Sequence, residues 1–242
     1  MTLLTNRIAV VTGASSGIGA ATITTLVAEG AKVAALARRA DRLEELDALA
    51  LPADVRDYAA VTAAAGRIHA ELGRPDLVVA NAGVMLAAAF DKADLGEWDQ
   101  MIGTNLTGLL NTARVFTDDL IAAAAEGRPA DLFLIGSVAS HMVYPTYAVY
   151  GATKAAVAHL ARHLRAELGS QGVRVHNIDP GLVRSELGEG MLDTSSRQAW
   201  TALRDSMDPL EGADIGAGIA FAAAAPARMN VADMVIVPTG QG

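Results

Sequence analysis

Thr12-Gly13-Ala14-Ser15-Ser16-Gly17-Ile18-Gly19 follows directly on the apolar run Ile8-Ala9-Val10-Val11 and opens an alanine-rich segment of helical spacing at 17–29. An apolar run, a glycine-rich turn and a helix in that order read as the first unit of a parallel sheet. Glycine admits positive φ and close approach to its backbone, while the exposed N–H groups at a helix start attract a pyrophosphate. Gly13, Gly17 and Gly19 suit those tasks, with Ser15, Ser16 and Ile18 in the same loop. A glycine cluster by itself could be a tight turn. Its place between strand and helix is what points to a dinucleotide.

Outward from this unit the pattern repeats. Runs dense in Val, Ile and Leu recur at 33–36, 77–80, 132–135, 173–178 and 234–237, and a weaker strand is expected within 49–53, where Pro52 blurs the boundary. Helical spacing fills 58–72, 98–125, 147–168 and 211–224. Strands that alternate with helices need crossover connections, which are right-handed and cover both faces of the sheet. The expectation is an α/β single-domain Rossmann fold over 1–242, a doubly wound seven-stranded parallel sheet with helices on both faces. Segment 183–209 breaks the alternation, being polar and rich in Ser, Met and Asp. It reads either as a substrate lid or as a fixed surface excursion.

Composition narrows the function. With 52% hydrophobic and 19% charged residues, the chain can fill a large core. A net charge of −8 argues against nucleic acid, which needs a basic face. No apolar stretch reaches the roughly 18 residues of a membrane span, and Arg7 interrupts the N-terminus where a signal peptide would be apolar. A cytoplasmic location without membrane contact is expected. The chain has no cysteine, so disulfides and thiolate metal sites are excluded. His159 and His163 are helical neighbours without an evident third ligand, and no metal is expected.

Tyr150 and Lys154, in Tyr150-Gly151-Ala152-Thr153-Lys154, fall on one helical face. A free tyrosine titrates near 10, and an adjacent ammonium favours the phenolate. Lys154 is therefore expected to lower Tyr150. The pair alone is weak, since two common residue types reach this spacing by chance. After the second strand, Leu36-Ala37-Arg38-Arg39 offers guanidinium groups where an acid would bind the ribose of NAD(H), which favours NADP(H). Both arginines could equally be solvated charges at the start of a helix.

Taken together, TGASSGIG, Tyr150-x-x-x-Lys154 and an upstream Ser137 resemble the short-chain dehydrogenases/reductases over nearly the whole chain. The resemblance implies a catalytic tetrad of Asn105, Ser137, Tyr150 and Lys154, with Asn105 acting through a water near the lysine. Ser140 rivals Ser137 by residue type, and the family spacing selects Ser137. Asp54 and Val55 resemble the motif at the adenine edge, with helix capping as the competing role of Asp54. Asn81-Ala82-Gly83 resembles the family's NNAG, with Ala80 in place of the first asparagine. Pro180, Gly181, Val183 and Ser185 resemble the segment beside the nicotinamide, and Tyr150 and Lys154 would also touch the cofactor.

The reaction implied is hydride transfer between NADP(H) and a small-molecule alcohol/carbonyl substrate. Met85-Leu86 and the ending Pro238-Thr239-Gly240-Gln241 resemble a bacterial branch containing serine, 3-hydroxy acid and clavulanic acid dehydrogenases. His141, Met142, Tyr144, Leu182, Glu186 and Met191 are candidate pocket residues. The long helices resemble those that pair between subunits, which implies a homodimer or homotetramer. The alternative is a non-catalytic dinucleotide-sensing regulator, which needs the phosphate loop but not the proton relay.

Overall fold

The computed structural model describes residues 3–241. Met1, Thr2 and Gly242, which the expected domain 1–242 and the reading of the N-terminus include, lie outside the described residues. Seven strands, β1 (Ile8–Thr12), β2 (Lys32–Ala37), β3 (Leu49–Pro52), β4 (Leu77–Ala80), β5 (Asp131–Ile135), β6 (Arg174–Pro180) and β7 (Asp233–Ile236), form one parallel sheet in the order β3-β2-β1-β4-β5-β6-β7. Val10 of β1 pairs with Ala34 on one side and Val78 on the other. The connection leaves β1 toward β2 and later returns to its other edge as β4, so the strand order reverses there. Such a switch point opens a crevice at the carboxyl ends of the strands. Pro52 ends the edge strand β3, where its missing N–H breaks no ladder.

Alternating side chains build two cores. On one face Val10, Leu36, Val78, Leu132 and Val175 pack against α3 (Tyr58–Glu71), α5 (Leu109–Ala125) and α6 (Ala148–Leu168), where Phe116 and Leu120 are fully buried. On the other, Val11, Val33, Val79, Phe133 and Ile178 meet α1 (Gly17–Ala28) and α8 (Gly212–Ala223). A short α2 (Ala40–Glu44) follows β2.

Two elements differ from the sequence reading. The helix expected over 98–125 is α4 (Leu95–Ile102) and α5 joined by a π-helical stretch, Gly103–Gly108. Contacts from distant loops accompany the wider turn: Asn105 is hydrogen-bonded to Val84, and Gly108 lies so close to Val55 that a Cβ there would sit 2.5 Å from a Val55 methyl. The polar segment 183–209 contains a helix, α7 (Thr194–Asp205), capped by Asp193 through the Ser196 N–H.

Candidate active site

The glycine loop turns at Gly13 with φ 68°, a conformation that disfavours any side chain. A Cβ on Gly19 would lie 2.3 Å from the Gly13 carbonyl, so the loop closes only around glycine. Ser16 caps α1 without a side-chain hydrogen bond, which leaves its first N–H groups to an outside acceptor. Thr12, which sequence reasoning passed over, fixes the neighbouring strand end: its hydroxyl accepts from the N–H of Asn81 at 3.0 Å and of Ala82 at 3.1 Å. The Asn81 amide donates back to the Thr12 carbonyl at 2.9 Å.

Arg38 and Arg39 are both exposed but differently engaged. Arg39 donates to the Ser15 and Ser16 hydroxyls and to Glu186 at 2.8 Å. Arg38 makes no hydrogen bond or ion pair among the described residues, and its charge reaches Asp54. Asp57 rather than Asp54 caps α3, accepting from Ala59 and Ala60. Asp54 instead accepts from Arg56 at 2.6 Å, and that hydrogen bond holds its carboxyl below the usual range. The Val55 carbonyl accepts from Asn111.

Asn105, Ser137, Tyr150 and Lys154 converge at the ends of β4 and β5. Lys154 and Tyr150 share the inner face of α6, both buried, and the Lys154 Nζ lies 5.9 Å from the centre of the Tyr150 ring. The ammonium donates to the Ile135 carbonyl at 2.8 Å. The Ser137 side chain is close enough to Tyr150 to favour its phenolate. The Asn105 side chain accepts from Val84 N–H at 2.8 Å and donates to the Val84 carbonyl at 2.9 Å, which braces the loop after β4. A Cβ on Gly83 would lie 3.4 Å from the Asn105 Oδ1 and 3.6 Å from the Lys154 Nζ, so glycine keeps open the space between these groups.

The lowering of Tyr150 by Lys154 expected from sequence is not found in the fold, where Tyr150 is raised. Burial pushes Tyr150 up to about 12, the charges of Asp179 and Tyr147 add to the rise, and only the Ser137 side chain opposes it. Burial likewise pulls Lys154 down to about 8 against the charge of Asp179.

Asp179 is a second residue that sequence reasoning passed over. Its Oδ1 accepts the Ser137 backbone N–H at 2.8 Å, and its Oδ2 accepts from Asn177 at 2.9 Å and Ser140 at 3.3 Å. Ser140 is thereby tied to Asp179, while Ser137 faces Tyr150. An acid at the end of β6, immediately before Pro180-Gly181, was the available signal. The next turn is held by Gln241, whose Oε1 accepts from the Leu182 N–H at 2.8 Å. Val183 bridges to Leu210, and Ser185 accepts from the Leu187 N–H at 3.3 Å.

Of the cofactor and tetrad residues expected from sequence, all except Asn105 and Gly19 line one cleft of about 630 Å³ that runs from Arg38 past Tyr150 to Trp200. Of the further pocket candidates, Met142, Tyr144, Leu182 and Glu186 line it; Met191 is buried beside it with Met85 and Leu86, and His141 is exposed, 3.9 Å from Asp179. Among the described residues no group of three His, Cys, Asp or Glu is arranged to hold a metal, and no helix is long and apolar enough to cross a membrane. His159 and His163 contact each other at 3.1 Å on the surface.

A glycine loop at a helix start, continuous with a buried tyrosine and lysine at a switch point, defines the class of dinucleotide-dependent oxidoreductases. The model of the short chain dehydrogenase family matches residues 7–195, and the chain belongs to that family. It is 40% identical to an uncharacterized oxidoreductase of Mycobacterium tuberculosis, covering 97% of this chain and 92% of the other, and 33% identical to one of Staphylococcus aureus, covering 98% and 100%. Among solved structures, the closed form of serine dehydrogenase complexed with NADP+ is 30% identical, with a TM-score of 0.89 over 98% of this chain and 96% of that one. Serine dehydrogenase from Escherichia coli is 29% identical, with a TM-score of 0.82 over 98% and 100%.

Proposed function

We propose that the protein transfers a hydride between NADP(H) and an alcohol/carbonyl pair, with Asn105, Ser137, Tyr150 and Lys154 as its working groups. The observation that carries this reading is the buried Tyr150, on the helix face that also presents Lys154, lining one cleft with Ser137 and the glycine loop. When bound, the nicotinamide supplies or accepts the hydride. The loop from Gly13 to Gly19 would hold the pyrophosphate, Asp54 and Val55 the adenine, Asn81, Ala82 and Gly83 the ribose, and Pro180, Gly181, Val183 and Ser185 the carboxamide. Arg38, uncommitted among the described residues, is suited to the additional phosphate of NADP(H). The NADP+ bound by the serine dehydrogenase neighbour supports that preference.

In the reducing direction the Ser137 hydroxyl holds the substrate oxygen, and the Tyr150 Oη donates a proton to it. A tyrosine held near 12 stays protonated through the neutral range, as a proton donor must. The Lys154 ammonium stands beside the gap at Gly83, where it can stabilise the phenolate that donation leaves. Asn105 keeps that gap open by bracing Val84. Segment 183–209, whose Leu187, Trp200 and Leu203 line the cleft, acts as its lid.

Tyr150→Phe is expected to lower turnover by about 10²- to 10⁴-fold while NADPH affinity, read by fluorescence titration, stays close to wild type. Turnover near the wild-type level would sink the mechanism. The kcat/KM for NADPH should exceed that for NADH by about tenfold or more, equivalent to at least ~1.4 kcal/mol of transition-state binding. A preference for NADH would overturn the assignment of Arg38.

A further inference from the structure

Resting on the hydride-transfer reading, we infer that the substrate is an uncharged carbonyl compound, or its alcohol, carrying an aromatic or branched apolar group, and not an amino or hydroxy carboxylate. Around Tyr150 the cleft is walled by Met85, Leu86, Met142, Tyr144, Leu187 and Trp200. Their polar atoms are spent on one another: the Trp200 indole N–H donates to the Leu187 carbonyl at 3.0 Å, and the Tyr144 hydroxyl donates to the Met142 sulfur at 3.3 Å. The indole is seated firmly, because a Cβ on Gly188 would lie 2.8 Å from its ring and 3.0 Å from the Met85 methyl. Thioethers beside aromatic rings favour flat or branched apolar groups and adapt to their shape.

Charge points the same way. The charged residues among the described cleft lining are Arg38, Arg39, Asp54, Lys154 and Glu186. Arg38 and Asp54 stand beyond β2 and β3, at the far end from Trp200. Arg39 and Glu186 neutralise each other at 2.8 Å. Lys154 is buried, with its ammonium committed to the Ile135 carbonyl at 2.8 Å. No cation therefore faces the apolar wall, and a carboxylate placed there would lose its hydration without a partner. This separates the pocket from the substrate that the serine dehydrogenase neighbour is named for, since serine carries both a carboxylate and an ammonium.

The test compares methyl 4-acetylbenzoate with 4-acetylbenzoate, which share a ketone and ring and differ in a charge remote from the reacting carbon. With NADPH and the wild-type protein, kcat/KM should be at least about tenfold higher for the ester. Equal values, or a preference for the anion, overturn the inference. Oxidation of serine or 3-hydroxybutyrate with NADP+, without reduction of the ester, overturns it while leaving hydride transfer intact. Binding gives a readout independent of turnover. In Trp98→Phe, Trp200 is the one remaining tryptophan of the two in the chain. Its emission should be quenched saturably by the ester at concentrations where the anion has no effect, after inner-filter correction. Ester binding without turnover of any compound would sink the hydride-transfer reading alone, and absence of ester binding would sink the pocket assignment.

Discussion

Strands β5 and β6 hold an aspartate at each end of the pair, and the two ends treat it oppositely. At the amino ends Asp131 is fully buried and accepts from Arg174 at 2.8 Å, Arg7 at 2.7 Å and His176 at 2.9 Å, with His176 stacked on Phe133. Burial alone would raise its pKa, but the hydrogen bonds from His176 and Arg174 and the charge of Arg7 prevail and hold it below the ordinary value. At the carboxyl ends the donors within hydrogen-bond reach of Asp179 among the described residues are neutral, Asn177, Ser140 and the Ser137 N–H, with His141 farther off at 3.9 Å. Burial wins there, and its pKa is raised. A carboxylate surrounded by guanidinium groups is a fixed joint. One held by neutral donors beside Tyr150 and Lys154 keeps the charges of that end adjustable, at a cost in stability that functional sites commonly carry.

The sharpest way to break this contrast is Asp131→Asn, which leaves Arg174 buried without its counter-charge and Arg7 with Asp76 alone. It should cost about 3–5 kcal/mol, read from urea unfolding, and a loss under ~1 kcal/mol would contradict the role given to Asp131. A carboxyl with a depressed folded pKa contributes its stability above the unfolded value of about 3.9 and loses it as pH falls through the folded one. The wild type should therefore lose this share of its stability below pH ~4, and Asp131→Asn should lack that part of the acid limb.

Lys154→Met tests the other end. In the fold Lys154 is pulled to about 8 from an ordinary 10.5. Below about 8 the cost of burying the ammonium is present in full, and it is relieved as pH climbs toward 10.5 because the unfolded chain then binds more protons. The variant should lose that alkaline gain and match or exceed wild-type stability at neutral pH, while turnover drops by about 10²-fold. A neutral-pH destabilisation as large as that of Asp131→Asn would erase the difference between the two ends. The smallest effect is expected from Asp179→Asn, which keeps an acceptor for the Ser137 N–H and removes a charge that raises both Tyr150 and Lys154. Stability should change by less than about 1 kcal/mol, and the pH profile of kcat should move downward. An unmoved profile would confine Asp179 to a structural role.

The sheet was legible because most of its strands centre on short apolar runs that local composition reveals, and the boundaries of the strands shifted by a residue or two. The glycine loop was legible for a similar reason: what makes it bind is backbone, and glycine announces backbone. Other features lie in contacts between distant segments. The π-helical turn at Asn105 accompanies contacts with Val84 and Val55, which no window over 98–125 contains. Helix α7 buries only Ser196 among its residues and turns Trp200 and Leu203 toward the cleft, so it lacks the apolar stripe of a core helix. The Tyr150 shift escaped for the same reason, since a motif displays the neighbouring ammonium but not the depth of burial.

The segment from Val183 to Leu210 leaves and rejoins the body at one point. Val183 and Leu210 form a bridge, the Arg184 N–H donates to the Leu210 carbonyl, and Arg184 pairs with Glu211. Closure of this excursion is therefore local, and the entropy of a longer or shorter version grows only slowly with its length. Together with the residues it carries, among them Leu187 and Trp200, it forms a cassette. It could be exchanged or lengthened with little strain on β6 or α8, so that the acceptance of one carbonyl compound over another could change while the groups proposed to transfer the proton stay where they are.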